Sequence, residues 1–147
     1  MIGARASEGD AVPSWELTVD VDAPPEETWA FIGDPTTVPR WYPKYVRCDV
    51  EGDERILVSV EGAELRERMM DRDDARRFYA YSVVSGAPVA SHLASFEVRE
   101  RGGASTIVWR TEAEPSDPSV DLEARLVPSQ TDALARIKAI VEDATAG

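Results

Sequence analysis

The chain has 147 residues, a length that suits one domain, and an ordinary apolar share that supports a sizeable core. Its 28 acidic against 16 basic residues give a formal net charge of -12, which argues against nucleic acid and against an anionic membrane surface, since both need clustered Lys and Arg. The one cysteine, Cys48, excludes a disulfide framework within the chain.

Residues 1–13 are small and charged and are expected to be a mobile segment; residues 14–147 are expected to form a single domain. The start has no apolar h-region, and no stretch reaches membrane-spanning length, so the expectation is a soluble cytoplasmic protein without membrane insertion. Trp15, Leu17, Val19 and Val21 alternate with Glu16, Thr18, Asp20 and Asp22, a strand with one wet face. Pro24 and Pro25 then suit a helix start, Glu26 and Glu27 its first turn, and Gly33 its end. A second short helix follows, with Asp34 as its cap, Pro35 as its first residue and Pro39 limiting its length.

Strands are predicted near 46–51, 55–60, 64–71, 77–85, 89–99 and 105–113. The breaks between them are short and carry turn residues, so neighbours should pair as antiparallel hairpins. Glu114-Pro115-Ser116-Asp117-Pro118 ends the last strand, and the remainder is helical. Ala133, Leu134, Ile137, Ile140, Val141 and Ala144 recur at helical spacing. Pro128 should kink this helix or mark a second start after a first segment near 119–127. A long antiparallel meander with one apolar face needs a cover, and the terminal helix is the element long enough to supply it. The fold class is therefore α+β: a seven-stranded curved antiparallel sheet around a long C-terminal helix, with two short helices after strand 1. The space between sheet and helices can be a cavity.

Charges choose the strand faces. Arg110 and Glu112 point out, so Trp109 points in; Glu97 and Arg99 point out, so His92 and Phe96 point in. Glu64, Arg66 and Arg68 form a wet face, which puts Leu65, Glu67 and Met69 inside. Strand 77–85 allows either set, Tyr79 and Tyr81 or Phe78 and Ala80. Cys48 alternates with Arg47 and Asp49 alongside Val46 and Val50, and reads as a buried structural thiol. An inward carboxylate is costly unless paired, hydrogen-bonded or neutral. Glu67 therefore either neutralises an inward Arg or caps a hydroxyl, or it belongs to a functional site together with the lone histidine His92. One inward acid and one inward imidazole among aromatic neighbours describe a polar spot in an apolar pocket.

Several ordered pieces resemble a known family. They are Val21-Asp22-Ala23-Pro24-Pro25-Glu26-Glu27-Thr28-Trp29, Asp34-Pro35, Arg40-Trp41-Tyr42-Pro43, Leu65-Arg66-Glu67-Arg68, Tyr81-Ser82-Val83-Val84, Gly86-Ala87-Pro88-Val89 and Val108-Trp109. Over roughly residues 15–145 the chain resembles the polyketide cyclase/dehydrase-like proteins of the START and Bet v 1-like (SRPBCC) superfamily. The resemblance implies the helix-grip fold and an internal cavity for a small hydrophobic ligand, polyketide- or lipid-like. It places Trp41, Glu67, Tyr81, His92 and Trp109 at the cavity and decides for Tyr81 inside. Met69, Phe96, Leu134 and Ile137 are the expected apolar walls. The alternative it implies is a cyclase or dehydratase, with Glu67 as general acid/base and His92 or Tyr81 acting on a carbonyl oxygen. A third reading is a stress or regulatory protein with a reduced pocket.

No cofactor is expected: the chain has no P-loop and no dinucleotide fingerprint. No metal is expected either, because Asp71, Asp73 and Asp74 lack the glycine and distal Glu of a calcium loop, and one His with one Cys lacks zinc-ligand spacing. Monomer and homodimer are both open.

Overall fold

The computed structural model describes residues 12–146. The segment expected to be mobile lies, up to residue 11, outside the described residues. Strand β1 (Ser14–Val21) leads into helix α1 (Pro25–Ile32), a 3-10 turn (Pro35–Thr37) and helix α2 (Val38–Trp41). Six strands follow, β2 (Tyr45–Glu51), β3 (Glu54–Ser59), β4 (Glu64–Asp73), β5 (Phe78–Ser85), β6 (Val89–Arg101) and β7 (Ala104–Pro115), then helix α3 (Leu122–Ala146).

All seven strands join one antiparallel sheet in the order β1-β7-β6-β5-β4-β3-β2. Each strand from β2 to β7 pairs with its chain neighbour because the connections are tight turns, and β1 closes on β7 with Trp15 opposite Thr111. The inner face carries Val21, Leu57, Tyr79, Tyr81, Phe96, Val98, Ile107 and Trp109, packed on Ala133, Leu134, Ile137 and Val141 of α3. This is the α+β sheet-around-helix arrangement that the residue pattern predicts. A satellite cluster of Trp15, Ala113 and Leu122 seats the first turn of α3. Asp34 caps the 3-10 turn by accepting the Thr36 amide at 3.0 Å. No helix among the described residues is long and apolar enough to cross a membrane.

Three expectations are corrected. Pro128 does not start a second helix: α3 runs unbroken through it, with Leu122 buried before it and Gln130 after it. Tertiary packing on both sides outweighs the one backbone bond that proline removes. Ala144 is exposed in the last turn of α3, beyond the buried Val141. Cys48 is half-buried against the core, whereas Val46 and Val50 of the same alternation are exposed, at 59% and 50%. The ladder shifts register between Tyr45 and Arg47, so the strict period breaks at Val46.

Candidate functional site

An aromatic cluster fills most of the space between sheet and helix. The Phe96 and Trp109 rings stack at 4.5 Å, and Trp41 meets both edge-on at 5.7 and 5.9 Å. What remains open is a chamber of about 130 Å³ bordered by Tyr42, Lys44, Tyr45, Leu65, Glu67, Tyr81, His92, Trp109, Leu126 and Gln130, among others. Below it lies a pocket of about 40 Å³ that shares Tyr42, Tyr45, Leu65, Glu67, Tyr81 and Trp109 and adds Val38, Trp41, Arg55 and Leu57. Above it, a vestibule of about 460 Å³ lies between the β3–β4 turn, the β5–β6 turn and Leu126 of α3, with Lys44, Tyr45, Leu65, Ala87 and Leu126 shared with the chamber. The three spaces adjoin in series through these shared walls and are called the funnel below.

The floor is an ion pair. Glu67 pairs with Arg55 across the β3–β4 ladder, and Arg55 Nε donates to Glu67 Oε1 at 2.8 Å with both residues buried. The guanidinium also lies over the Tyr81 ring, 4.5 Å from its centroid, and over Tyr79 at 5.7 Å. Burial alone would lower the arginine, but the facing Glu67 carboxylate and the tyrosines outweigh it and hold the guanidinium above its ordinary value. Glu67 thus has the inward arginine that one reading of the sequence required.

Tyr81 Oη accepts the Trp109 indole N–H at 3.0 Å, and burial raises the phenol well above its ordinary range. His92 Nδ1 accepts the Val83 amide at 3.2 Å, which leaves the proton of the neutral ring on Nε2. Burial lowers the His92 imidazole first, Glu67 opposes this, and Arg55 adds to it. Gln130 bridges the chamber wall to the satellite cluster, accepting from Trp15 Nε1 at 2.8 Å and donating to Thr111 Oγ1 at 3.3 Å. Tyr42 Oη and Ser129 Oγ share a 3.0 Å hydrogen bond that ties the loop after α2 to α3. Lys44 Nζ sits over the Tyr42 and Tyr45 rings at 4.8 and 5.2 Å, and burial lowers the amine while Glu67 opposes that.

Of the residues singled out from the sequence, Glu67, Tyr81, His92 and Trp109 border the chamber, and Trp41 borders the deep pocket. Phe96, Leu134 and Ile137 do not border it: they are buried in the packed core behind the aromatic cluster. Met69 packs half-buried against that core and borders none of the three spaces. The expected apolar walls are instead support for the walls, because inward-facing side chains of a curved sheet first fill the sheet–helix interface. Arg55, Tyr42, Tyr45 and Gln130 were not anticipated. Arg55 could have been found: the β3–β4 turn at Glu61-Gly62 sets the register that places residue 55 opposite Glu67.

A seven-stranded antiparallel sheet curved around one long helix, with two short helices after its first strand, defines a helix-grip protein. The chain belongs to the family described as polyketide cyclase/dehydrase and lipid transport, which matches residues 13–142. Among solved structures it is similar to the XoxI protein of Bacillus cereus, at 23% identity over 90% of this chain and 97% of that one, with a TM-score of 0.80. The ZhuI aromatase/cyclase of Streptomyces sp. R1128 is 17% identical over 89% and 94%, with a TM-score of 0.73. A START superfamily protein of Mycobacterium smegmatis is 15% identical over 88% and 97%, with a TM-score of 0.75. Likeness at these identities carries the fold. No curated protein matches the sequence.

Proposed function

We propose that the protein binds a small, largely apolar molecule in the funnel between sheet and α3. The observation that carries this is that chamber and deep pocket share the walls Tyr42, Tyr45, Tyr81 and Trp109 and the polar Glu67, while the chamber shares Tyr45, Leu65 and Leu126 with the vestibule. Aromatic walls with a few converging polar groups are the ordinary make-up of a small-molecule site. Chamber and deep pocket together are smaller than most such sites, so a ring-sized body fits inside and anything longer extends into the vestibule. Native mass spectrometry of freshly purified protein, followed by solvent extraction, tests the reading. A bound apolar molecule is the expected result; consistently empty protein that also fails to take up apolar probes would overturn it.

A second reading is an acid/base enzyme of the cyclase or dehydratase type, favoured by the His92 imidazole and the Tyr81 hydroxyl bordering the same chamber as Glu67. In that reading a neutral His92 donates from Nε2 or Tyr81 donates from its hydroxyl to a carbonyl oxygen, and Glu67 moves the proton. Glu67 is tied to Arg55, so this reading requires the ion pair to open or to share the proton. Once turnover of a substrate is identified, Glu67→Gln should abolish it, and unchanged turnover would dismiss this role.

A further inference from the structure

We propose that strand β2 is an interface for a second copy of this chain: two β2 strands pair antiparallel about a two-fold axis at Cys48, with Arg47 of each copy opposite Asp49 of the other. Of the β2 residues only Tyr45 borders the funnel, so the pairing stands independently of ligand binding.

The two edges of the sheet, β1 and β2, differ. The β1 end is tied to α3: Lys138 Nζ donates to the Asp20 carbonyl at 3.1 Å, and Glu142 accepts the Asp22 amide at 2.8 Å. Among the described residues, no turn or side-chain hydrogen bond reaches the backbone of residues 46–51 beyond the ladder with β3. The turn after β2 has two residues, Gly52 and Asp53, so the flanking Glu51 and Glu54 form a hydrogen-bonded pair. Alternation then turns the N–H and C=O of Asp49 and Glu51 toward β3, and those of Cys48 and Val50 toward the open edge. The register shift of β2 lies at Val46, so Arg47 to Glu51 run regularly. The strand carries neither lysine nor proline, the residues that commonly blunt an edge, and such an edge accepts another strand.

The strand matches itself in one register. With Cys48 opposite the partner's Cys48, the open backbone groups of the two copies meet, Arg47 faces the partner's Asp49 on both sides of the axis, and the exposed Val46 meets the exposed Val50 of the partner. Within one chain Arg47 Nε already reaches Asp49 Oδ2 at 2.9 Å, so the two copies build an alternating set of four charges. The other symmetric registers that use the same backbone groups are worse. Centring the axis on Arg47 or on Asp49 sets that charge opposite its own copy, and centring it on Val50 sets Asp49 against Glu51. A contact of one strand belongs to the weak, transient class, and a net charge of -12 per chain opposes it, so the expected dissociation constant lies between about micromolar and millimolar.

Sedimentation velocity of the full chain over a rising concentration series tests this, at about 0.15 M salt, where charge repulsion is screened beyond about 8 Å. The parent chain should shift from monomer toward dimer. Arg47→Asp and Asp49→Arg each set like charges opposite one another on both sides of the axis and should weaken association about tenfold or more. Arg47→Asp/Asp49→Arg should restore it to within several-fold of the parent. Both residues are exposed, so urea midpoints should hardly move, which separates lost association from lost folding. Register is read by disulfide trapping in Cys48→Ser chains, with glutathione disulfide as oxidant. Chains that also carry Arg47→Cys, mixed with chains that also carry Asp49→Cys, should cross-link, because directly opposite Cα atoms stand about 4.5–5.5 Å apart. Either variant alone should not, because its cysteines stand on the diagonal at about 7–8 Å. Monomer at every concentration would overturn the inference, and so would a dimer that the single swaps leave unchanged or the double swap does not restore. Cross-linking of one variant with itself as readily as with the other would overturn the register. Should a single swap unfold the chain, the trapping experiment alone decides.

Discussion

Removing the Glu67 side chain would leave the Arg55 guanidinium inside the protein with no counter-charge. Breaking a buried pair from one side costs about 3–5 kcal/mol, whereas replacing both partners with apolar groups of similar size is often close to neutral. Glu67→Ala should therefore lower the urea midpoint strongly, and Arg55→Met/Glu67→Met should recover most of the loss; equal losses would show that the pair is not coupled. His92 gives a second effect at this scale. Its imidazole is lowered in the folded protein, by burial first. The unfolded chain takes up its proton near pH 6.5, ahead of the folded one, so unfolding consumes a proton and stability falls as pH drops through about 6.5 toward the lower folded value. Urea midpoints measured at several points between roughly pH 8 and pH 5 should show this slope, and His92→Gln should flatten it.

At the scale of elements, two backbone features beside the vestibule can be tested. Gly86 in the β5–β6 turn has φ +99°, and a Cβ there would stand 2.2 Å from the Glu64 carbonyl oxygen. Gly103 in the β6–β7 turn has φ +90° but nothing within 4 Å of the same position. Both alanine substitutions strain the dihedral, but only Gly86→Ala also pushes the β5–β6 turn off β4. It should cost clearly more stability than Gly103→Ala and should weaken probe binding; similar costs would mean the turn yields freely. In α3, Pro128 offers no amide proton to Ala124. Pro128→Ala restores that bond and should raise stability by about 1–3 kcal/mol, with slower amide exchange over residues 122–129.

For the molecule as a whole, most of the architecture was legible because β1, β4, β6 and β7 carry charges that mark their wet faces. Glu97 with Arg99 and Arg110 with Glu112 fix the faces of β6 and β7, so Phe96 and Trp109 could be placed inside from sequence alone. Strand β3 carries no such contrast: Arg55 stands between Glu54 and Ile56, and Ile56 is itself only 4% exposed although it lies opposite Arg66 on the other face. The inward arginine was hidden by a strand apolar on both sides, and only its register to Glu67 reveals it. The division between wall and support was hidden for a different reason. Periodicity tells which side chains point inward; it does not tell how far the aromatic rings of Trp41, Phe96 and Trp109 fill the interior. Trp41→Ala tests that filling. It should cost about 3–5 kcal/mol and join its void to the deep pocket, so that larger apolar probes gain affinity. A small cost without any gain for larger probes would mean the core collapses into the space.

Leu126 lines both the vestibule and the chamber, two residues ahead of Pro128. The turn of α3 that stands over the opening is thus the one that lacks a backbone hydrogen bond, pinned from below by Tyr42 through Ser129. The lifetime of a bound molecule would then be set by how often this single turn loosens, rather than by the stability of the sheet beneath it. Tyr42→Phe should accordingly shorten residence far more than it lowers the midpoint of global unfolding.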